Sequence, residues 1–143
     1  MTQATVTGAC LCGGVRFRAA LPAKWVAHCH CSMCRRAHGA GFVTWAGFPS
    51  AAVAIDSGNE LLRRYRSSAQ ATRSFCSHCG SMLFFESGNW PGEIHVTLGS
   101  LDSADGLEPQ VHVYWSNRVP WAIQDAAGLP TIDPPDHGGQ ASS

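Results

Sequence analysis

Seven cysteines in three ordered groups constrain this chain more than any other feature. They read C-x-C-G at Cys10 and Cys12, C-x-C-x-x-C at Cys29, Cys31 and Cys34, and C-x-x-C-G at Cys76 and Cys79. A C-x-x-C turn lets two thiolates grip one ion, and the glycine that follows, Gly80, accepts the left-handed backbone such a turn often needs. One such knuckle supplies two ligands, whereas a structural zinc takes four. Cys10 and Cys12 suit the missing pair if they lie on a strand, where residues i and i+2 point to the same side. The bland alternative is four buried free thiols. Paired spacings with trailing glycines favour a structural zinc on Cys10, Cys12, Cys76 and Cys79 that joins the first strand to the middle of the chain.

Cys29, Cys31 and Cys34 are left, with two expected on a strand and one in the turn after it. Three protein ligands with an exchangeable fourth position make a catalytic zinc. Spacing leaves two other readings open. One is a second closed site with His28, His30 or His38 as fourth ligand, and the other is a disulfide pair acting as a redox switch. Seven thiolates outweigh two divalent ions, so Arg35 and Arg36, directly after Cys34, could offset the excess charge or hold an anionic substrate. A solvated pair of arginines is the plainer reading.

The rest of the chain reads as many short strands. Val15, Phe17 and Ala19 share one face of a run that carries Arg16 and Arg18 on the other. Further strands are expected at Trp25–His30, Gly41–Gly47, Ala52–Ile55, Leu61–Arg66, Thr72–Cys76, Met82–Glu86, Glu93–Leu98 and Val111–Trp115. Ser32–His38 is the single helix expected, with Ser32 as its cap. The fold class is therefore mainly β with little helix. Hydrophobic residues at 45% against charged residues at 14% let 143 residues bury a core without depending wholly on metal. The expected organisation is one zinc-binding domain over residues 1–128, then a flexible tail over 129–143, rich in Pro, Asp, Gly and Ser.

Ten basic residues balance ten acidic ones and no basic run stands out, which argues against a nucleic-acid partner. MTQATVTGAC lacks the charged and apolar regions of a signal peptide, and no apolar stretch approaches the ~20 residues that cross a bilayer. A cytoplasmic protein with reduced thiols is expected. Oligomeric state cannot be read.

In its ordered motifs the chain resembles the glutathione-dependent formaldehyde-activating enzyme family. The match runs from Gly8-Ala-Cys-Leu-Cys-Gly-Gly-Val15, through Cys29-His-Cys-Ser-Met-Cys-Arg35, to Phe75-Cys-Ser-His-Cys-Gly-Ser81. Weaker support comes from Leu98-Gly-Ser-Leu-Asp102 and Val111-His-Val-Tyr-Trp115 with Pro120-Trp121. The resemblance covers about residues 8–125. It implies an Mss4-like fold of twisted antiparallel sheets and two zinc ions per chain. Cys10, Cys12, Cys76 and Cys79 would hold the structural ion, and Cys29, Cys31 and Cys34 the catalytic one.

The expected activity is that of a zinc-dependent carbon–sulfur lyase acting on a thiol–aldehyde adduct, with a small-molecule thiol or aldehyde as partner. No glutathione-binding constellation can be placed on the sequence. A proton shuttle is needed, and His30, His95 and His112 are candidates by residue type alone. Trp45, Trp90, Trp115 and Trp121 could wall an apolar pocket. The rival from another class is a noncatalytic zinc scaffold that binds a protein partner.

Overall fold

A computed structural model describes residues 4–122 and 128–134. In chain order its strands are β1 (Thr5–Ala9), β2 (Arg16–Ala20) and β3 (Trp25–Cys29), then the helix α1 (Ser32–His38). They continue with β4 (Val43–Pro49), β5 (Val53–Ser57), β6 (Leu62–Arg66), β7 (Ala71–Cys76), β8 (Met82–Ser87) and β9 (Glu93–Thr97). The last two are β10 (Val111–Val113) and β11 (Thr131–Ile132). The architecture is mainly β, as the alternating runs predict.

Strands β1, β2 and β5 make a small antiparallel sheet, and the other eight make a large one in the order β11-β10-β3-β4-β9-β8-β7-β6. The large sheet is antiparallel except around β10, which runs parallel to both β3 and β11. Residues 131–132 of the segment read as a tail are therefore paired within the sheet, while 135–143 lie outside the described residues.

Period-two alternation decides what each strand buries. On β2, Phe17 and Ala19 point inward while Arg16 and Arg18 face solvent. Phe17 meets Phe84 of β8 edge-to-face at 5.0 Å, which locks the small sheet onto one face of the large one. Phe48, Leu83 and Val96 complete that core, and each such burial contributes roughly 1.5–3 kcal/mol.

The opposite face of the large sheet carries a second cluster. It includes Trp45, Phe85, Tyr114 and the sulfurs of Cys29, Cys31 and Cys34. Helix α1 has the expected bounds, but its cap is Cys31 rather than Ser32. The Cys31 Sγ accepts from the Cys34 N–H at 3.3 Å, and Gly39 closes the helix in a left-handed conformation.

Candidate metal centres and an aromatic cavity

The sulfurs of Cys10, Cys12, Cys76 and Cys79 lie within 4.8 Å of one another. Cys10 and Cys12 do not reach this site from a strand, as the spacing had suggested. They sit in the turn after β1, closed by a bond from the Gly13 N–H to the Cys10 carbonyl at 3.0 Å. A turn folds the two sulfurs to 3.5 Å, closer than the same side of an extended strand brings them. Gly80 follows the second knuckle at φ 82°, the left-handed conformation that its position calls for. The Leu11 N–H donates to Ser81 Oγ at 2.9 Å and ties the knuckles together.

Four sulfurs on a tetrahedral ion with bonds of about 2.3 Å lie about 3.8 Å apart. The Cys10–Cys12 and Cys12–Cys76 separations of 3.5 and 3.9 Å fall on either side of that value. Hydrogen bonds from Ser81 lower the Cys79 thiol to about 5. The Gly14 N–H pulls Cys12 down, but hydrogen bonding with Cys10, desolvation and hydrogen bonding with Cys79 and Cys76 together outweigh it and leave that thiol at about 11. These residues could hold a metal ion, and the spacing suits zinc.

Cys29, Cys31 and Cys34 form the second group, also within 4.8 Å and all buried. Their origins differ from the expectation of two on a strand and one in a turn. Cys29 ends β3, Cys31 caps α1 and Cys34 lies in the first turn of that helix. No histidine joins them among the described residues. His28 bonds Thr44 through Nδ1 at 2.8 Å, and His30 Nε2 shares a 2.8 Å hydrogen bond with His112 Nδ1. The seven cysteines are all unbridged.

Beside this trio lies a charge that the sequence did not single out. Arg73 on β7 is only 2% exposed, and both of its terminal nitrogens lie 3.6 Å from Cys34 Sγ. Its guanidinium also stacks over Phe85 at 4.9 Å. A buried cation without an anionic partner is costly, so Arg73 favours thiolate over thiol in the trio. Hydrogen bonds from Cys29 and Cys31, followed by the Arg73 charge, hold Cys34 well below the ordinary thiol range. Cys29 is pushed well above it by its hydrogen bonding to Cys31 and Cys34. Three clustered sulfurs that share negative charge suit a divalent ion.

Cys29 and Cys34 line a cavity of about 230 Å³ walled mainly by Trp25, Trp45, Phe85 and Trp90. Of the three histidines proposed as proton shuttles, only His95 lines it. Alternation is the reason. On β10, Val111 and Val113 line the cavity while His112 lies between them on the opposite face, against His28 and His30. His30 is buried there, and burial first, then the charges of His112 and His28, lowers it to about 4.

His95 sits within a network. Its Nε2 lies 3.0 Å from Glu93 Oε1, the Trp25 Nε1–H donates to the same oxygen at 3.2 Å, and Lys24 pairs with Oε2 at 2.7 Å. Burial lowers the pKa of His95 despite the Glu93 charge. Burial raises the Glu93 carboxyl, but hydrogen bonds from Lys24, His95 and Trp25 outweigh it and hold it below the usual range. Gly47 of β4 lies between His95 and Trp25 in register, and a Cβ there would collide with the indole. The bare glycine lets the two rings meet edge-on at 4.4 Å.

The remaining candidates are dispersed. Trp45 and Trp90 wall the cavity, whereas Trp115 packs on His30 and His112 and Trp121 is exposed. Arg35 bonds the His30 carbonyl at 3.4 Å and Arg36 is exposed, so the position beside the thiolates belongs to Arg73. No helix among the described residues is long and apolar enough to cross a membrane.

Comparison with known proteins places these features in a family. Residues 5–117 match the family described as glutathione-dependent formaldehyde-activating enzyme. A protein of Halomonas elongata, provisionally named a glutathione-dependent formaldehyde-activating enzyme, is 31% identical over 121 residues, covering 80% of this chain and 77% of that one. A Schizosaccharomyces pombe protein named as an uncharacterized lyase is 33% identical over 78 residues, 54% of this chain and 55% of that one. A crystal structure of a Rhodobacter sphaeroides protein shares the fold at a TM-score of 0.61 and 23% identity, covering 88% of this chain and 98% of that one. The chain belongs to the glutathione-dependent formaldehyde-activating enzyme family, a family of enzymes.

Proposed function

We propose that the protein is a zinc-dependent carbon–sulfur lyase that joins a small thiol to an aldehyde and cleaves the adduct. The observation that carries this reading is the pair Cys29 and Cys34, set in the wall of an aromatic cavity that His95 also lines. The family match supports the reaction class. Cys10, Cys12, Cys76 and Cys79 would hold a structural zinc, and Cys29, Cys31 and Cys34 a catalytic one. Zinc on the trio would supply the acidity that makes a substrate thiol nucleophilic at neutral pH.

The chain's own residues account for the other requirements. Trp45 and Phe85 exclude water from the reacting centre, and Arg73 offsets the negative charge of the trio. Glu93 holds His95 through Nε2, which leaves Nδ1 to take the thiol proton and return it to the alkoxide oxygen. The lowered pKa of His95 keeps that ring neutral and able to accept a proton at pH 7. Reduced cysteines on this scale suit the cytoplasm.

The test is adduct exchange between formaldehyde and a panel of thiols, followed by NMR with zinc-loaded protein. Acceleration over buffer that disappears in Cys34→Ser is the expected result. Full metal content without acceleration for any thiol would sink the lyase reading and favour a noncatalytic scaffold.

A further inference from the structure

The walls of the cavity bear on which thiol it accepts. Aromatic rings surround the two sulfurs, and Val111 and Val113 of β10 complete the lining with Ile132. No described residue that lines it carries a carboxylate, an ammonium or a guanidinium. The polar groups nearby are already committed. His95 Nε2 and Trp25 Nε1 both engage Glu93 Oε1, and Lys24 occupies the other oxygen of that carboxylate. Arg73 is turned to Cys34 and lies over the Phe85 ring.

Glutathione brings two carboxylates and an ammonium group. Each would need a partner of opposite charge if it left water, because an unpaired ion is strongly disfavoured in an apolar enclosure. Among the described residues the cavity offers none. Its volume of about 230 Å³ is also below the usual span for drug-sized ligands, roughly 300–1,000 Å³, which suits a single ring with a short arm.

We propose that this cavity takes the carbon skeleton of a small thiol bearing an uncharged, apolar, planar group about the size of benzyl, in preference to glutathione. The proposal rests on the lyase reading of the three-cysteine site and sharpens its substrate class. The thiol sulfur would lie toward Cys29 and Cys34, with its ring among Trp25, Trp45 and Trp90. In the forward direction the sulfur–carbon bond forms as the carbonyl π pair moves onto oxygen. The thiol proton ends on that oxygen, by way of His95. Cleavage reverses the same transfers, with nothing oxidised or reduced.

The experiment compares benzyl mercaptan with glutathione on the zinc-loaded full chain, using quenching of tryptophan fluorescence for binding and formaldehyde adduct exchange for turnover. Benzyl mercaptan is expected to bind at least about tenfold more tightly, as its ring desolvates well and no charge must be stripped of water. Equal or tighter binding of glutathione overturns the proposal, and so does the absence of saturable quenching by benzyl mercaptan. Val113→Lys, which places an ammonium on the wall, should weaken benzyl mercaptan about tenfold and favour 3-mercaptopropionate, whose carboxylate it can pair. A melting curve checks that this variant folds, and if it does not, the comparison on the native chain decides alone. Preferential binding of benzyl mercaptan without acceleration of any adduct would overturn the lyase reading but keep the cavity's class. Acceleration with glutathione bound as tightly would do the reverse.

Discussion

The two cysteine groups contain the same ligand atom and differ in almost everything around it. The four-sulfur group lies at the edge of the first core cluster, with Cys10 and Cys76 buried, Cys79 half-buried and Cys12 exposed. Backbone N–H groups supply much of its setting, as in the bonds from Val15 to Cys10 at 3.2 Å and from Gly14 to Cys12 at 3.4 Å. The three-sulfur group lies inside the second core cluster, backed by a buried guanidinium and facing an aromatic cavity. A closed ligand set can staple distant segments without any pocket. An incomplete set beside a cavity leaves room for a ligand from outside.

The largest effect should come from attacking the closed group. Cys79→Ser removes one of four candidate ligands from a site where a bound zinc would supply on the order of 10 kcal/mol to folding. The expected outcome is loss of cooperative melting by circular dichroism, with both metal equivalents released. Cys34→Ser should instead retain cooperative melting, keep one metal equivalent by elemental analysis and lose adduct exchange. Matching behaviour of the two variants would break the proposed division into structural and catalytic groups.

Arg73→Met tests the charge beside the trio. Removing one partner of a buried charged pair costs about 3 kcal/mol, so a lower melting temperature and weaker metal retention at the three-sulfur site are expected. Unchanged retention against a competing chelator would show that Arg73 does not serve that site. Gly47→Ala should cost about 1–3 kcal/mol, because the new methyl collides with Trp25 and parts it from His95. Its melting loss should come with slower adduct exchange but unaltered metal content, separating cavity from ligands.

The smallest effect is on pH dependence. In the proposed proton path His95 would act unprotonated, and its pKa lies below the ordinary value of 6.5, so kcat/KM should fall only as pH drops through that lowered value. Glu93 raises His95 by its hydrogen bond and then by its charge, and Glu93→Gln, which loses the carboxylate, should therefore move the acid limb further down. A limb that stays in place or moves up would remove Glu93 from the proton path.

Much of the four-sulfur site was legible because its chemistry is local. Gly80 follows its knuckle and adopts the positive φ expected of it. The geometry of Cys10 and Cys12 was less legible, as C-x-C spacing allows either a strand or a turn. The same limit applied to α1, whose bounds were readable while its capping atom, Cys31 Sγ, was not. For the catalytic candidates the sequence carried a usable signal in one place. The run Val111-His112-Val113 alternates, so His112 and its valine neighbours had to face opposite sides.

Arg73 had no such signal. Arg63, Arg64 and Arg66 stand exposed on the neighbouring β6, and nothing in residue type separates them from the buried arginine. The sequence by itself determined the inventory of candidate ligands and the mainly β class, because thiol reach and strand alternation act over a few residues. Only the tertiary structure decided that Arg73 meets Cys34, that His95 lines the cavity and that Gly47 lets Trp25 reach it. Those outcomes depend on which strands become neighbours. Strand order joins residues far apart in the chain, so local spacing alone does not specify it.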